Sequence, residues 1–279
     1  MESYKTMNEY FAGKKLWGDD FSLEQIKSWF DDESHGFDEL EGEAGKNPEE
    51  YEFHHLNRFY GFSKLPKDAK FPEVLGIGSA WGYEFEPYIH TYNIDRITII
   101  EPSDKLARNS IEQIKPTYVK PNVSGKIEMP DNTFDLITCF GVLHHIPNVS
   151  YVLSELLRVL KPGGFLLVRE PINSMGDWTK ERKGLTKRER GIPPHLFEKA
   201  FAENKGKIVS KNYLFTGTFA LQRIMNKFSK KYLINNIFYL QFDKILSKLM
   251  AWNYYYHAQN RRQRLGPQNV FYVITKISN

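Results

Sequence analysis

Short apolar runs alternate with stretches of helical spacing from residue 73 to residue 170, and this alternation constrains the fold more than any other feature. The runs are Glu73-Val74-Leu75-Gly76-Ile77, Arg96-Ile97-Thr98-Ile99-Ile100-Glu101, a short one around Tyr118, Phe134-Asp135-Leu136-Ile137-Thr138-Cys139-Phe140, and Phe165-Leu166-Leu167-Val168-Arg169-Glu170. Between them, helices are expected over 83–90, 105–114 and 149–160, the last ending at Lys161-Pro162-Gly163-Gly164. Strands that alternate with helices imply a parallel sheet with right-handed crossovers. A helix from about Pro194, a sixth strand over 207–214 and a last strand over 269–276 complete an α/β, Rossmann-like domain.

Two regions stand outside that pattern. Residues 1–71 read as a helical N-terminal region. In it, Ser22 is positioned to cap a helix that starts near Leu23, and Tyr51 to Phe62 forms a second helix carrying His54 and His55, a candidate lid. Residues 72–279 form the main domain, with a helical insertion at 217–258. Charge is divided unevenly between the two. Residues 31–50 hold nine acids and one base, whereas residues 215–266 hold nine bases and one acid, Asp243. The insertion interleaves those bases with aromatic and aliphatic residues. Three uses compete for it: a cap over a substrate pocket, a homo-oligomer interface, and a face for peripheral contact with an anionic membrane. A net charge of only +4 and the acidic stretch argue against a broad nucleic-acid footprint.

The lone cysteine, Cys139, permits no disulfide within the chain and no cysteine-based metal site. It suits a reducing compartment. The N-terminus lacks the basic-then-apolar order of a signal peptide, and no apolar run approaches the ~20 residues that span a bilayer. A cytoplasmic location is therefore expected.

Chemistry concentrates at the carboxyl ends of the strands, where open α/β sheets bind ligands. The first strand runs into Gly76-Ile77-Gly78-Ser79-Ala80-Trp81-Gly82, a turn of small residues that lets backbone approach a ligand. The second ends in Glu101, an acid positioned to accept hydrogen bonds from both hydroxyls of a ribose. Pro130-Asp131-Asn132-Thr133-Phe134-Asp135 leads into the fourth strand, Leu143-His144-His145-Ile146-Pro147 follows it, and Leu153-Ser154-Glu155-Leu156-Leu157-Arg158-Val159-Leu160 leads into the fifth.

Together these segments resemble the class I S-adenosylmethionine-dependent methyltransferases over about residues 72–172. The stretch from Pro130 to Gly164 is the most specific part. The resemblance implies a seven-stranded, mostly parallel sheet with an antiparallel last strand, and S-adenosylmethionine as cofactor. Carried over by position, it places Gly76, Gly78, Ser79 and Gly82 along the methionine part of the cofactor, Glu101 on the ribose, Pro102 beside the adenine and Phe140 near the sulfonium. The chain departs from the family pattern in three places. Gly76 replaces the usual acid, Ala80 replaces the middle glycine, and Ile127 and Glu128 stand nearest the position of the adenine-contacting pair. Glu84 or an N-terminal residue is then a candidate for holding the cofactor's amino-acid end.

Methyl transfer to an alcohol needs a base as well as alignment. His144, His145 and Glu170 fall at the ends of strands four and five, and a carboxylate can orient a histidine. In that arrangement the chain looks like sugar O-methyltransferases. The expected activity is O-methylation of a hydroxyl on a sugar or phosphorylated glycan. N- or C-methylation of another small molecule, and a non-catalytic binding module, are the rivals. His195, just after Pro193-Pro194, reads as structural. The loop 180–190 carries six bases against two acids, which suits an anionic acceptor. No spacing of acids and histidines along the chain suggests a metal set.

Overall fold

The computed structural model describes residues 2–40 and 51–278, with side chains over 7–33 and 51–278. The part of the acidic stretch at 41–50 lies outside the described residues. Seven strands form one sheet: β1 (Glu73–Ile77), β2 (Arg96–Ile100), β3 (Thr117–Val119), β4 (Phe134–Phe140), β5 (Leu160–Pro171), β6 (Gly206–Leu214) and β7 (Asn269–Lys276). Their order is β3-β2-β1-β4-β5-β7-β6, with β7 antiparallel to both neighbours and the rest parallel. The chain reverses direction between β3 and β4, so the ends of β1 and β4 lie side by side at the switch point where such sheets open a crevice.

Alternation along each strand divides the core between the two faces. Leu75, Ile137, Leu166 and Val168 face one layer, with Leu153 and Leu156 of α4 (Val149–Val159) and Phe197 and Phe201 of α5 (Pro194–Glu203). Val74, Leu136, Leu167 and Phe271 face the other, with Leu56 and Tyr60 of α3 (His54–Tyr60) and Leu240 of α7 (Ile237–Leu249).

Two expected helices are absent. Residues 83–90 hold only a 3₁₀ turn, Glu86–Tyr88, and residues 105–114 hold a 3₁₀ turn at Asp104–Leu106 and a bridge between Ile111 and Ile114. The apolar spacing there serves aromatic packing instead: the Phe62 and Tyr88 rings stack 3.7 Å apart, and Phe85 is fully buried. Gly78, Ala80 and Gly82 all take positive φ, and Pro87 withholds an N–H, so no regular helix can start there. The second connection turns back at Glu112, also at positive φ, and Arg108 pairs with Glu86 across the two loops.

Of the N-terminal helices, α1 (Glu2–Phe11) packs its end on Trp178 and Tyr256, and α2 (Leu23–Leu40) lies against the turn that follows β4. At the start of α2, Ser22 Oγ accepts from Gln25 N–H (3.3 Å) and Gln25 Oε1 accepts from Ser22 N–H (2.8 Å), a reciprocal cap. Asp19 caps a different helix, its carboxylate accepting the Ser150 N–H in the first turn of α4 (3.0 Å). Buried Trp29 donates its indole N–H to the His145 carbonyl (2.7 Å). The insertion folds as α6 (Thr218–Met225) and α7. Among the described residues no helix is long and apolar enough to cross a membrane.

Candidate functional site

A cleft of about 400 Å³ opens at the carboxyl ends of β1, β2 and β4, a size suited to a small organic ligand. Its floor is Ile77, Gly78 and Ala80, one wall carries Glu101, Pro102 and Ser103, and the other carries Gly141, Val142 and His145. Ile26, Phe30 and Glu33 of α2 cover it, so the lid is this helix and not the one carrying His54 and His55. Gly78 is required on two counts: φ is +57°, and a Cβ there would come within 2.6 Å of Val142. The Glu101 carboxylate accepts N–H bonds from Ala80 and Ser103, each at 3.1 Å, and faces the cleft. The acid at the end of β2 and the turn after β1 thus form one hydrogen-bonded unit.

The far wall is fixed by residues of the 153–164 stretch. Glu155 accepts the Ile127 N–H (2.9 Å), and Arg158 donates to the Ile127 and Met129 carbonyls (2.7 and 2.9 Å). Ile127 and Glu128 therefore line the cleft, but the Ile127 N–H is already used and its share is apolar surface.

The histidine pair sits where β4 ends, in a cage of three buried acids. Glu170 at the end of β5 accepts N–H bonds from Val142 and Leu143 (2.7 and 2.8 Å) through one oxygen and contacts His144 Nδ1 (2.7 Å) through the other. Glu33 of the lid contacts His145 Nδ1 at 2.6 Å and also accepts from the Thr186 hydroxyl and the Arg188 N–H. Glu189 Oε2 stands 3.7 Å from His144 Nε2 and 3.6 Å from His145 Nε2. Burial pushes the Glu33 carboxyl up, but the hydrogen bonds from His145 and Thr186 outweigh it and hold it below the usual range. Ionised, Glu33 can only accept, so Nδ1 of His145 carries the proton and Nε2 the lone pair. Burial, followed by the neighbouring His144, pushes the His145 pKa down, whereas burial pushes Glu189 up.

Among these groups only His145, Glu33 and Glu101 reach the cleft. His144 and Glu170 stand behind as positioning residues. Folding also creates a metal-capable set that linear spacing hides: ligand atoms of His144, His145 and Glu189 lie within 4.8 Å of one another.

Residues 75–168 match the model of the methyltransferase domain family, and the fold aligns with an S-adenosylmethionine-dependent methyltransferase from Mesorhizobium loti at a TM-score of 0.52, with 13% identity over 82% of this chain and all of that one. About a third of the chain thus matches a methyltransferase domain, and the whole sheet has the fold of one. The domain match points to S-adenosylmethionine as the cofactor. Among curated proteins, it is 27% identical to rat arginine-hydroxylase NDUFAF5 over 165 residues (55% of this chain, 46% of that protein). It is 33% identical to the C-methyltransferase UbiE of ubiquinone and menaquinone biosynthesis from Shewanella pealeana over 82 residues (27% and 32%). The chain thus spans less than half the length of either relative.

The methyltransferase frame corrects several placements. Phe140 is not in the cleft. Its ring lies on the other sheet face against Phe62 and Phe271, because Phe140 alternates with Cys139, and Gly141 and Val142 occupy the cleft wall instead. Gly76, Ser79 and Gly82 do not line the cleft either. Gly76 leaves room for the Ser79 hydroxyl, 2.2 Å from where its Cβ would be, and Gly82 leaves room for Ile111. Glu84, the candidate for the amino-acid end, is buried on the far side of β1 against Thr138. His195 lies in the first turn of α5, away from the cleft.

The three arginines of the basic loop turn inward, whereas Lys180, Lys183 and Lys187 are exposed. Lys187 and Arg188 pair with Asp32 of α2, and Arg182 donates to the carbonyls of Met175, Thr186, Lys187 and Glu189. Arg190 donates to those of Trp17, Leu143, His144, Ile146 and Pro147. The arginines thus secure the lid and the histidine turn. No residue of 217–258 lines the cleft, so the insertion does not cap this pocket.

Sequence reasoning missed Glu33, Glu189 and Arg190. Each lies more than 40 residues from the histidines, and no local pattern marks it.

Proposed function

We propose that this protein methylates a hydroxyl group of a sugar or glycan, with His145 as the base. The observation that carries the reading is a neutral imidazole on the wall of the cofactor cleft, held through Nδ1 by the ionised Glu33 at 2.6 Å, with Nε2 turned toward Glu189. Glu101 is assigned to the ribose hydroxyls, Pro102 and Ile127 to the two sides of the adenine, and Gly78, Gly141 and Val142 to the methionine end. The bound cofactor supplies an electrophilic methyl on a positively charged sulfur. The acceptor oxygen forms the new bond to that carbon as the carbon–sulfur bond breaks and its electron pair leaves with sulfur. The hydroxyl proton goes to His145 Nε2, and Glu33 stabilises the imidazolium. Glu189 stands 3.6 Å from that Nε2, beyond hydrogen-bond distance, which leaves the lone pair to the acceptor. A neutral amine already carries a nucleophilic lone pair and needs no such base, which favours oxygen over nitrogen.

The test is release of S-adenosylhomocysteine on addition of nucleotide sugars or glycans, with the corresponding deoxy sugars as controls. Turnover that survives loss of the hydroxyl overturns the reading. Glu101→Ala is expected to weaken S-adenosylmethionine binding about 100-fold or more, since two hydrogen bonds to a charged group are lost at ~1.5–3 kcal/mol each. Titration calorimetry reads it directly. Wild-type affinity in that variant removes the ribose assignment and, with it, the catalytic module.

One observation favours a second mode of activation. Both histidines have Nδ1 on a carboxylate and Nε2 toward Glu189, the outer-shell pattern of metal-binding imidazoles. Adjacent ligands on a tetrahedral ion with ~2.1 Å bonds lie about 3.4 Å apart, a few tenths below the two Glu189–imidazole distances of 3.7 and 3.6 Å. Dialysis against a chelator separates the two. Unchanged turnover and melting temperature support the imidazole base. Loss of both, restored by zinc or manganese, supports an ion that acidifies the hydroxyl.

A further inference from the structure

We propose that the 217–258 insertion is a membrane-docking surface for anionic lipid. Its helix α7 has two faces. Leu240, Asp243 and Ser247 are buried toward β6 and α3. On the opposite side Phe238, Phe242, Ile245 and Leu249 recur at intervals of four, three and four, one helical stripe, and Trp252 follows in the 3₁₀ turn just past the helix end. All five are exposed, Phe238 by 77% and Trp252 by 78%. Phe219, Ile224 and Phe228, in and just after α6, are exposed as well, Phe228 by 85%. A soluble surface rarely leaves this many large apolar side chains in water without a use for them.

Charge selects the occupant. Arg223, Lys227, Lys230, Lys231 and Lys248 are exposed among these apolar groups, and among the described residues none pairs with a carboxylate. The only acid between 215 and 266 is Asp243, which is buried and accepts the N–H groups of Phe215 and Thr216 (2.9 and 3.1 Å). It makes no contribution to the surface. A two-fold dimer through this patch would set like charges against each other. An anionic bilayer complements the bases, while the aromatic and aliphatic tips enter the acyl boundary. The surface excludes the cofactor cleft, so the inference stands whatever hydroxyl is methylated.

Flotation of the full chain with vesicles tests this. The protein is expected to rise with phosphatidylglycerol vesicles, to bind phosphatidylcholine vesicles weakly, and to be partly released by salt. Phe238→Ser with Trp252→Ser, both at exposed sites, is expected to lower partitioning about 100-fold while S-adenosylmethionine binding stays at the wild-type value. Lys230→Gln with Lys231→Gln is expected to cost about 5-fold per charge on anionic vesicles and nothing on neutral ones. Absence of flotation, or equal flotation of wild type and the aromatic variant, overturns the proposal. So does sedimentation showing a dimer that the aromatic variant dissolves, which would make the stripe an interface between copies.

Discussion

Turnover falls by about 10²- to 10⁴-fold when His145 is replaced by Ala, the range expected for loss of a positioned base, while affinity for S-adenosylmethionine changes little. The imidazole contributes one edge to a cleft that Glu101, Pro102 and the Gly78 turn otherwise define, so binding and chemistry separate. The pH profile carries a second signature. Burial and His144 lower the His145 pKa below its usual value of about 6.5, so the base is neutral through the physiological range. The rate is therefore flat near neutrality and falls only as pH drops through that lowered pKa, where Nε2 takes a proton before substrate arrives. Glu33→Gln removes a carboxylate that favours the imidazolium, so the acid limb moves to still lower pH and kcat declines. His144→Ala has a smaller effect, because that ring stands behind the wall. Wild-type kcat in both single histidine variants would end the base assignment.

The largest loss of stability is expected from Arg190→Met. The Arg190 side chain is fully buried and its guanidinium satisfies five carbonyls: Trp17 in the N-terminal region and Leu143, His144, Ile146 and Pro147 around the histidine turn. Burial alone opposes a charge there, but arginine keeps its proton, and the carbonyl dipoles replace lost water. Methionine fills similar space and leaves those oxygens without donors, at a cost of about 3–5 kcal/mol. At about 2–4 °C per kcal/mol, the melting temperature drops by about 6–20 °C. Arg190→Lys recovers little, since one ammonium cannot span five acceptors held by a planar fork. Calorimetric melting decides it, and an unchanged transition in Arg190→Met would show that the oxygens find other donors. Because the same contacts hold Leu143 to Pro147, turnover should fall with stability.

What could be read along the chain was local. Period-two apolar runs and the residues that end them marked all seven strands, and Val149–Val159 was recognisable from its helical spacing. Glu101 and His145 were identifiable because a residue at the end of a parallel strand lands at the sheet's open edge whatever follows it. Ser22 was legible as a cap because its partner, Gln25, is three residues away.

The helices expected over 83–90 and 105–114 failed because amphipathic spacing does not distinguish a helix from a loop that buries its apolar side chains, such as Phe85, Tyr88, Ile111 and Ile114. The choice fell to Gly78, Ala80 and Gly82 at positive φ and to the Phe62–Tyr88 stack. Phe140 failed by one position, which in a strand means the opposite face. Tertiary structure alone decided what surrounds the histidines: Glu33, Glu189 and Arg190 come from segments that no short-range pattern links to residue 145, and a buried acid or guanidinium is tolerated only where distant donors and acceptors converge on it. Capping hydrogen bonds and hydrophobic periodicity act over a few residues and are written in order along the chain. Desolvation, which sets the protonation of His145 and Glu189, depends on everything packed around them and exists only once the chain has folded.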